Sequence, residues 1–265
     1  KSGRHAEAAR AAATHTGALA GTDDVYDAAF RRAGLLRVMD LGELFSAAET
    51  LGRLGGPVGK RLAILTNGGG VGVLAIDRLI DLGGSPAEIS KTTKERLDAA
   101  LPPTWSRSNP VDIIGDAPVN RYVETLRVLL DDPAVDSVLF MHAPSAIVPS
   151  AEIARACAPL MQTASRHVMA CWLGGDGGEQ ARKTFADAGI PVYDTPEQAV
   201  GAFLQVLEYK RNQQLLVQTP SSAPSEFGRD RATARRLIDG ALASGRALLT
   251  EPEAKALLAA YGISV

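Results

Sequence analysis

The chain has 265 residues, a formal net charge of -2 and 46% hydrophobic residues. That length suits one large domain or two smaller ones, and the apolar fraction excludes a disordered chain. With 28 Lys plus Arg against 30 Asp plus Glu, no strong field favours nucleic acid or an anionic membrane. No apolar run approaches the roughly 20 residues of a membrane span.

Residues 1–21 are rich in Ala, Gly, Thr and His and read as a loop that holds a helical turn. Residues 22–34 read as a helix: Thr22 suits the cap, Asp23 and Asp24 the first turn, and Gly34 the end. Leu35–Val38 is a short strand candidate. Asp40–Leu54 is a helix, with Leu41, Leu44, Phe45, Ala48 and Leu51 on one stripe. Gly55-Gly56-Pro57 then breaks the chain and marks a domain boundary.

Beyond it strands and helices alternate: strand 61–66, helix 71–82, a weak strand 86–90, helix 91–101 and loop 104–117. Helix 118–130, strand 137–143, helix 151–164, strand 168–173, helix 177–188, strand 191–194 and helix 196–212 follow. Five strands joined by helices imply right-handed crossovers, a parallel sheet covered on both faces, and a flavodoxin-like doubly wound α/β fold. Thr219–Gly228 reads as a linker, and Arg231–Ala243 and Glu251–Tyr261 as two more helices. Cys157 and Cys171 form neither a disulfide framework nor a metal pattern. They read as small core residues, which fits a reducing, cytoplasmic setting. The chain opens without Met or targeting character and closes just after a helix, so it is expected to be the middle of a longer polypeptide.

The strongest chemical signal is Asn67-Gly68-Gly69-Gly70-Val71-Gly72, between the first strand of the alternating region and its helix. Ligands of open α/β sheets bind at the carboxyl ends of strands. A helix start there offers free N–H groups and a positive dipole end, and glycines let an anion approach the backbone. The run lacks the Rossmann spacing and the Lys-Ser/Thr of a P-loop, and no acidic residue follows a clear second strand to hold a ribose. A phosphate cradle and a tight turn with close helix–sheet packing both fit it. His15, in Thr14–Gly21, stands among small residues, as a phosphate carrier, general base, ligand or solvated side chain. With His5, His142 and His167 it has no metal-ligand spacing, so no metal is expected. His142 ends a strand at the ligand-facing edge and is a weaker candidate. Asn109 and Asp112, in the loop expected over that edge, are possible pocket residues; Trp105 is a lid or a packed aromatic. Gly174–Gly178 either lines the same crevice or caps a helix.

Ser2-Gly3-Arg4, Thr14-His15-Thr16-Gly17-Ala18-Leu19-Ala20-Gly21, Thr66–Gly72 and Asn109-Pro110-Val111-Asp112-Ile113, in that order, resemble the NDP-forming acyl-CoA synthetases, relatives of succinyl-CoA synthetase. The closing Leu249-Thr250-Glu251 to Tyr261-Gly262-Ile263 resembles the opening of that family's ATP-grasp domain. The resemblance implies that residues 1–55 end a first flavodoxin-like domain carrying the His loop and that 57–212 form a second. Residues 213–230 would be a linker and 231–265 would lead into a truncated ATP-grasp domain. It also implies a phosphorylated histidine at His15, relaying phosphate between an acyl phosphate and ADP. The phosphate would be held by Ser2, Gly3, Gly17 and the residues Asn67, Gly68, Gly69, Gly70, Val71 and Gly72. ATP or ADP with magnesium, CoA and a carboxylic acid would be used by the intact protein through domains absent here, and a homodimer is an expectation of the same kind. Phosphate is the one ligand this segment itself would hold. The same module fused to a GNAT domain in protein lysine acetyltransferases gives the alternative expectation, an acyl-CoA-sensing regulatory part.

Overall fold

The computed structural model describes residues 3–16, 22–55, 58–218 and 230–264; the side chains of His15, Thr16 and Asp176 lie outside the described part. The chain divides into two compact units, Lys1–Val217 and Gln218–Val265.

In the first unit three apolar runs become the central strands β1 (Arg61–Thr66), β4 (Ser137–His142) and β5 (His167–Trp172), buried along nearly their whole length. Strands covered on both faces need such runs. The short strands β2 (Ser85–Pro86), β3 (Val111–Asp112) and β6 (Val192–Tyr193) complete a parallel sheet of order β2-β1-β4-β5-β6, with β3 also paired to β1. Side-chain alternation divides the core. Ala63, Leu65, Val138, Phe140, Val168, Ala170 and Trp172 face one way. They meet α5 (Lys91–Ala100), α6 (Val119–Leu130), α7 (Ser150–Thr163) and α8 (Glu179–Asp187). Leu62, Ile64, Leu139, Met141, Met169 and Cys171 face the other way, onto α4 (Gly69–Asp81) and α9 (Pro196–Leu216). Each of these faces excludes water from apolar area at about 25 cal/mol per Å². Both cysteines are buried, and burial raises each thiol to about 12, so they serve as core.

The sheet is flavodoxin-like as expected, and it holds one strand more than the five the sequence suggests. β2 stops after two residues and leaves the far half of β1 unpaired on the side away from β4. Val111 and Asp112, expected in a loop, fill that half by pairing with Leu65 and Thr66. Asn109 closes the gap between the two partial strands. Its Oδ1 accepts from the Ile64 N–H at 2.9 Å, and its Nδ2 donates to Leu62 O at 2.8 Å and Ala87 O at 3.0 Å. A side-chain amide thus stands in for a strand residue, which sequence periodicity does not reveal.

Two expectations are corrected before β1. Residues 6–16 form a helix, α1 (Ala6–Thr16), not a loop, because Ala occupies six of the first eight positions and is the best helix former. Leu35–Val38 joins no sheet. The preceding and first carbonyls, Gly34 O and Leu35 O, accept instead from Gln213 Nε2 at 2.7 Å and Asn212 Nδ2 at 2.9 Å on α9. The helices α2 (Asp23–Arg32) and α3 (Leu41–Arg53) also pack on α9. In the second unit α10 (Arg231–Ala243) and α11 (Glu251–Ala260) pack as a pair. The Thr250–Glu253 capping box opens α11, and Arg246 holds both oxygens of Glu253 at 2.7 Å. The described helices include none long and apolar enough to cross a membrane.

Candidate functional site

In a doubly wound sheet the crossovers leave in opposite directions from the point where strand order reverses, and the crevice opened there is where ligands bind. Here that point lies between the carboxyl ends of β1 and β4. Asn67 spans it: Oδ1 accepts from the Ala143 N–H at 2.8 Å, and Nδ2 donates to Ala143 O at 2.9 Å. Asn67 is 4% exposed, so this amide fixes the β1–α4 turn against the loop after β4.

The glycine run has four different neighbourhoods. Helix α4 begins at Gly69, two residues earlier than the sequence suggests, with Gly68 as N-cap in extended conformation and no side-chain cap. None of these glycines has positive φ, so conformational freedom does not explain them. Close approach explains three. A Cβ on Gly68 would lie 3.0 Å from Ala143 Cβ, one on Gly69 2.9 Å from Asp112 Oδ2, and one on Gly72 3.0 Å from Pro110 and 3.1 Å from Thr66. Gly70 has nothing within 4 Å and opens to space. The packing role of the run therefore falls on Gly68, Gly69 and Gly72, and the room for a ligand is at Gly70. The N–H groups of Gly69, Gly70 and Val71 precede the first helical bond, Gly72 N–H to Gly68 O at 3.2 Å, so they have no intrahelical acceptor.

Asp112 stands beside this helix start. Its Oδ1 accepts from the Ile114 N–H at 2.9 Å, and its other oxygen faces Gly69. The two pocket candidates of this stretch thus separate: Asp112 reaches the helix start, whereas Asn109 directs its amide into the sheet.

His142 is fully buried at the end of β4. Its Nδ1 is hydrogen bonded to the Tyr122 hydroxyl at 3.1 Å, its Nε2 to the Ser150 hydroxyl at 3.0 Å, and its ring stacks on Trp172 at 4.7 Å. Serine, histidine and a third polar group in a chain resemble a nucleophile–base pair. Burial opposes that use: it lowers His142 to about 4, and among the described residues no carboxylate is hydrogen bonded to the ring to support an imidazolium. His142 is a neutral hydrogen-bonding partner. Ser150 and Tyr122 escaped the sequence reading, because helical periodicity marks Tyr122 only as core and Ser150 only as a helix start.

The second glycine turn, after β5, faces the loop Ala143–Pro149. Gly174 has φ of 109° and a Cβ there would lie 2.4 Å from Pro144, so the position requires glycine. Arg182 donates to Trp172 O at 3.2 Å and to Gly175 O, closing the turn from within. His15 lies in the last turn of α1. Ser2 and Gly17 lie outside the described residues, and Gly3, with φ of 77°, precedes α1. Among the described residues no group of three His, Cys, Asp or Glu could hold a metal ion, so magnesium is not assigned to them.

An α4 helix start whose first amides have no helical acceptor, at the switch point of a parallel flavodoxin-like sheet, defines an α/β module with its candidate site at the carboxyl edge. Family comparison is specific about its kind. Residues 1–51 match the succinyl-CoA ligase like flavodoxin domain, and residues 62–216 match the Ligase-CoA domain. The chain is 32% identical over 263 residues to the 4-hydroxybutyrate–CoA ligase [ADP-forming] of Nitrosopumilus maritimus, covering 99% of this chain and 37% of that protein. It is also 32% identical over 265 residues to the acetate–CoA ligase [ADP-forming] I of Archaeoglobus fulgidus, covering 100% and 37%. Among solved structures, the dinucleotide-forming acetyl-coenzyme A synthetase 1 of Ca. Korarchaeum cryptofilum, in complex with phosphate and ADP, matches with a TM-score of 0.77 at 29% identity. That match covers 82% of this chain and 48% of the other. The chain belongs to the NDP-forming acyl-CoA synthetase family. It spans little more than a third of the length of the two curated relatives.

Proposed function

We propose that this chain is the phosphoryl-relay part of an NDP-forming acyl-CoA synthetase, an acid–thiol ligase. His15 takes the phosphoryl group from an acyl phosphate, an N–P bond forming as the carboxylate leaves, and ADP then takes it from His15. The observation that carries this is the start of α4: three amides without helical acceptors, at the switch point, beside the one glycine of the run that faces open space. A phosphohistidine carries about two negative charges, and a helix start favours an anion by roughly 0.3–1 kcal/mol at an exposed site. Asp112 opposes that charge from the other side of Gly69. Amides that attract and a carboxylate that repels suit a group held briefly and passed on.

On this reading residues 1–55 are the end of a first flavodoxin-like domain, 57–212 are a second, 213–230 link them onward, and 231–265 begin an ATP-grasp domain. ATP or ADP with magnesium, CoA and the carboxylic acid are held by parts outside this segment. The named relatives, ADP-forming ligases of acetate and 4-hydroxybutyrate, support that substrate class. Incubating the intact protein with γ-labelled ATP is expected to give an acid-labile, base-stable phosphoadduct that His15→Ala abolishes. An unlabelled wild type, or label that survives His15→Ala, overturns the reading.

A further inference from the structure

The loop between β4 and α7 is the common wall of the two glycine turns. Ala143, its first residue, is bonded through both N–H and C=O to Asn67. Pro144 packs where a Cβ on Gly174 would stand, 2.4 Å away. The loop then turns outward, with Ile147 62% exposed, and returns at Ser150, the first residue of α7. Two groups flank it and meet beneath it: His142 Nε2 and Ser150 Oγ, 3.0 Å apart. The histidine cannot swing away, because Tyr122 holds its other nitrogen at 3.1 Å and Trp172 stacks on its face.

We propose that His142 and Ser150 are positioning residues, a side-chain clasp across the ends of the Ala143–Pro149 loop that sets the wall of the switch-point site. No other side-chain hydrogen bond among the described residues ties the two ends of this loop to each other. Asn67 anchors only the leading end, and α7 has no capping side chain at Pro149 to fix the trailing end. Chain closure over so few residues is inexpensive, so one part-buried hydrogen bond suffices to select a single loop shape. The Tyr122 and Trp172 contacts belong to the core and persist without Ser150, which makes the clasp separable from the fold.

The test uses the intact protein with Ser150→Ala and Ser150→Thr, the second keeping the hydroxyl. Thermolysin cleavage before Ile147, mapped by mass spectrometry at a temperature where every variant remains folded, is expected to run at least tenfold faster in Ser150→Ala and to return to the wild-type rate in Ser150→Thr, with Tm lowered by only a few degrees in Ser150→Ala and restored in Ser150→Thr. Equal cleavage of wild type and Ser150→Ala overturns the clasp. The activity arm rests on the ligase reading proposed above. There kcat is expected to fall about tenfold in Ser150→Ala, with KM for CoA unchanged and Ser150→Thr restored. A loop that opens while kcat holds overturns the positioning role. A wild type without ligase activity overturns the ligase reading alone, and proteolysis still decides the clasp.

Discussion

Two glycine-rich turns stand at the carboxyl edge of one sheet and present opposite backbone groups. After β1 the helix begins inside the run, no glycine has positive φ, and the first N–H groups have no helical acceptor. After β5 the chain passes Gly174 and Gly175 at φ of 109° and 53°, forms a 3-10 turn, and aims carbonyls at the Arg182 guanidinium. The first turn offers N–H groups that lack helical acceptors, and the second already holds a positive charge. Similar composition therefore yields opposite electrostatics, decided by where the helix starts and which long side chain follows.

The element joining the two turns provides the largest expected effect. His142 precedes Ala143 of one and stacks on Trp172 of the other. Burial lowers it from 6.5 to about 4. A histidine depressed on folding is neutral in the native state and gains its proton on unfolding between those two values. Its contribution is thus complete above pH 6.5 and is lost as pH falls toward 4, by about 2 kcal/mol. Urea unfolding at pH 7 and pH 4.5 should show a steeper loss for wild type than for His142→Gln. Equal losses would mean that the joint between the turns is not protonation-sensitive.

Breaking the first turn comes next. Asn67→Ala removes both partners of the Ala143 backbone at a nearly buried position. A cost of about 1.5 kcal/mol is expected, since a group left unpaired costs more than a hydrogen bond contributes. Loss of the phosphoadduct should exceed the loss of stability, measured as labelling at a temperature where the variant remains folded. In the second turn Arg182→Met keeps the aliphatic stem but frees Trp172 O and Gly175 O. About 1 kcal/mol of stability should go, read from the urea midpoint, with labelling of His15 unchanged. If Arg182→Met abolishes labelling as Asn67→Ala does, the two turns are not functionally distinct.

The contrast also measures what the sequence can express. The apolar runs at β1, β4 and β5 announced the sheet, because strands covered on both faces have no polar side to display. β3 was hidden for a complementary reason: two residues carry no periodicity, and Asn109, which lets them complete β1, acts through a side-chain amide 45 residues from Ile64. The Ala-rich start lies among Gly and Thr, which point to a loop, yet Ala outranks every residue in helix propensity and the helix forms. For the site, the glycine run was legible as a special backbone, but its four glycines look alike in sequence. Only the neighbours supplied by Ala143, Asp112, Pro110 and Thr66 separate packing from access. The His142–Ser150 contact was not legible, since it depends on how a loop returns.

That separation supports the smallest and most discriminating prediction. Gly70 is the second residue of α4, and an added Cβ meets nothing within 4 Å. Gly70→Ala should raise stability by about 0.5–1 kcal/mol, because Ala loses less conformational entropy in a helix. The same methyl group would stand in the space through which an anion reaches the amides of Gly69, Gly70 and Val71. Phosphoadduct yield should therefore fall several-fold in a protein that unfolds later in urea. Gly72→Ala is the control: its Cβ meets Pro110 and Thr66 at 3.0–3.1 Å, so it should lose stability and perturb the turn from below. A Gly70→Ala protein that is more stable and labels normally would place the anion elsewhere and leave the whole run with a packing role. A more stable protein with weakened labelling would assign Gly70 to the ligand and its three neighbours to the fold.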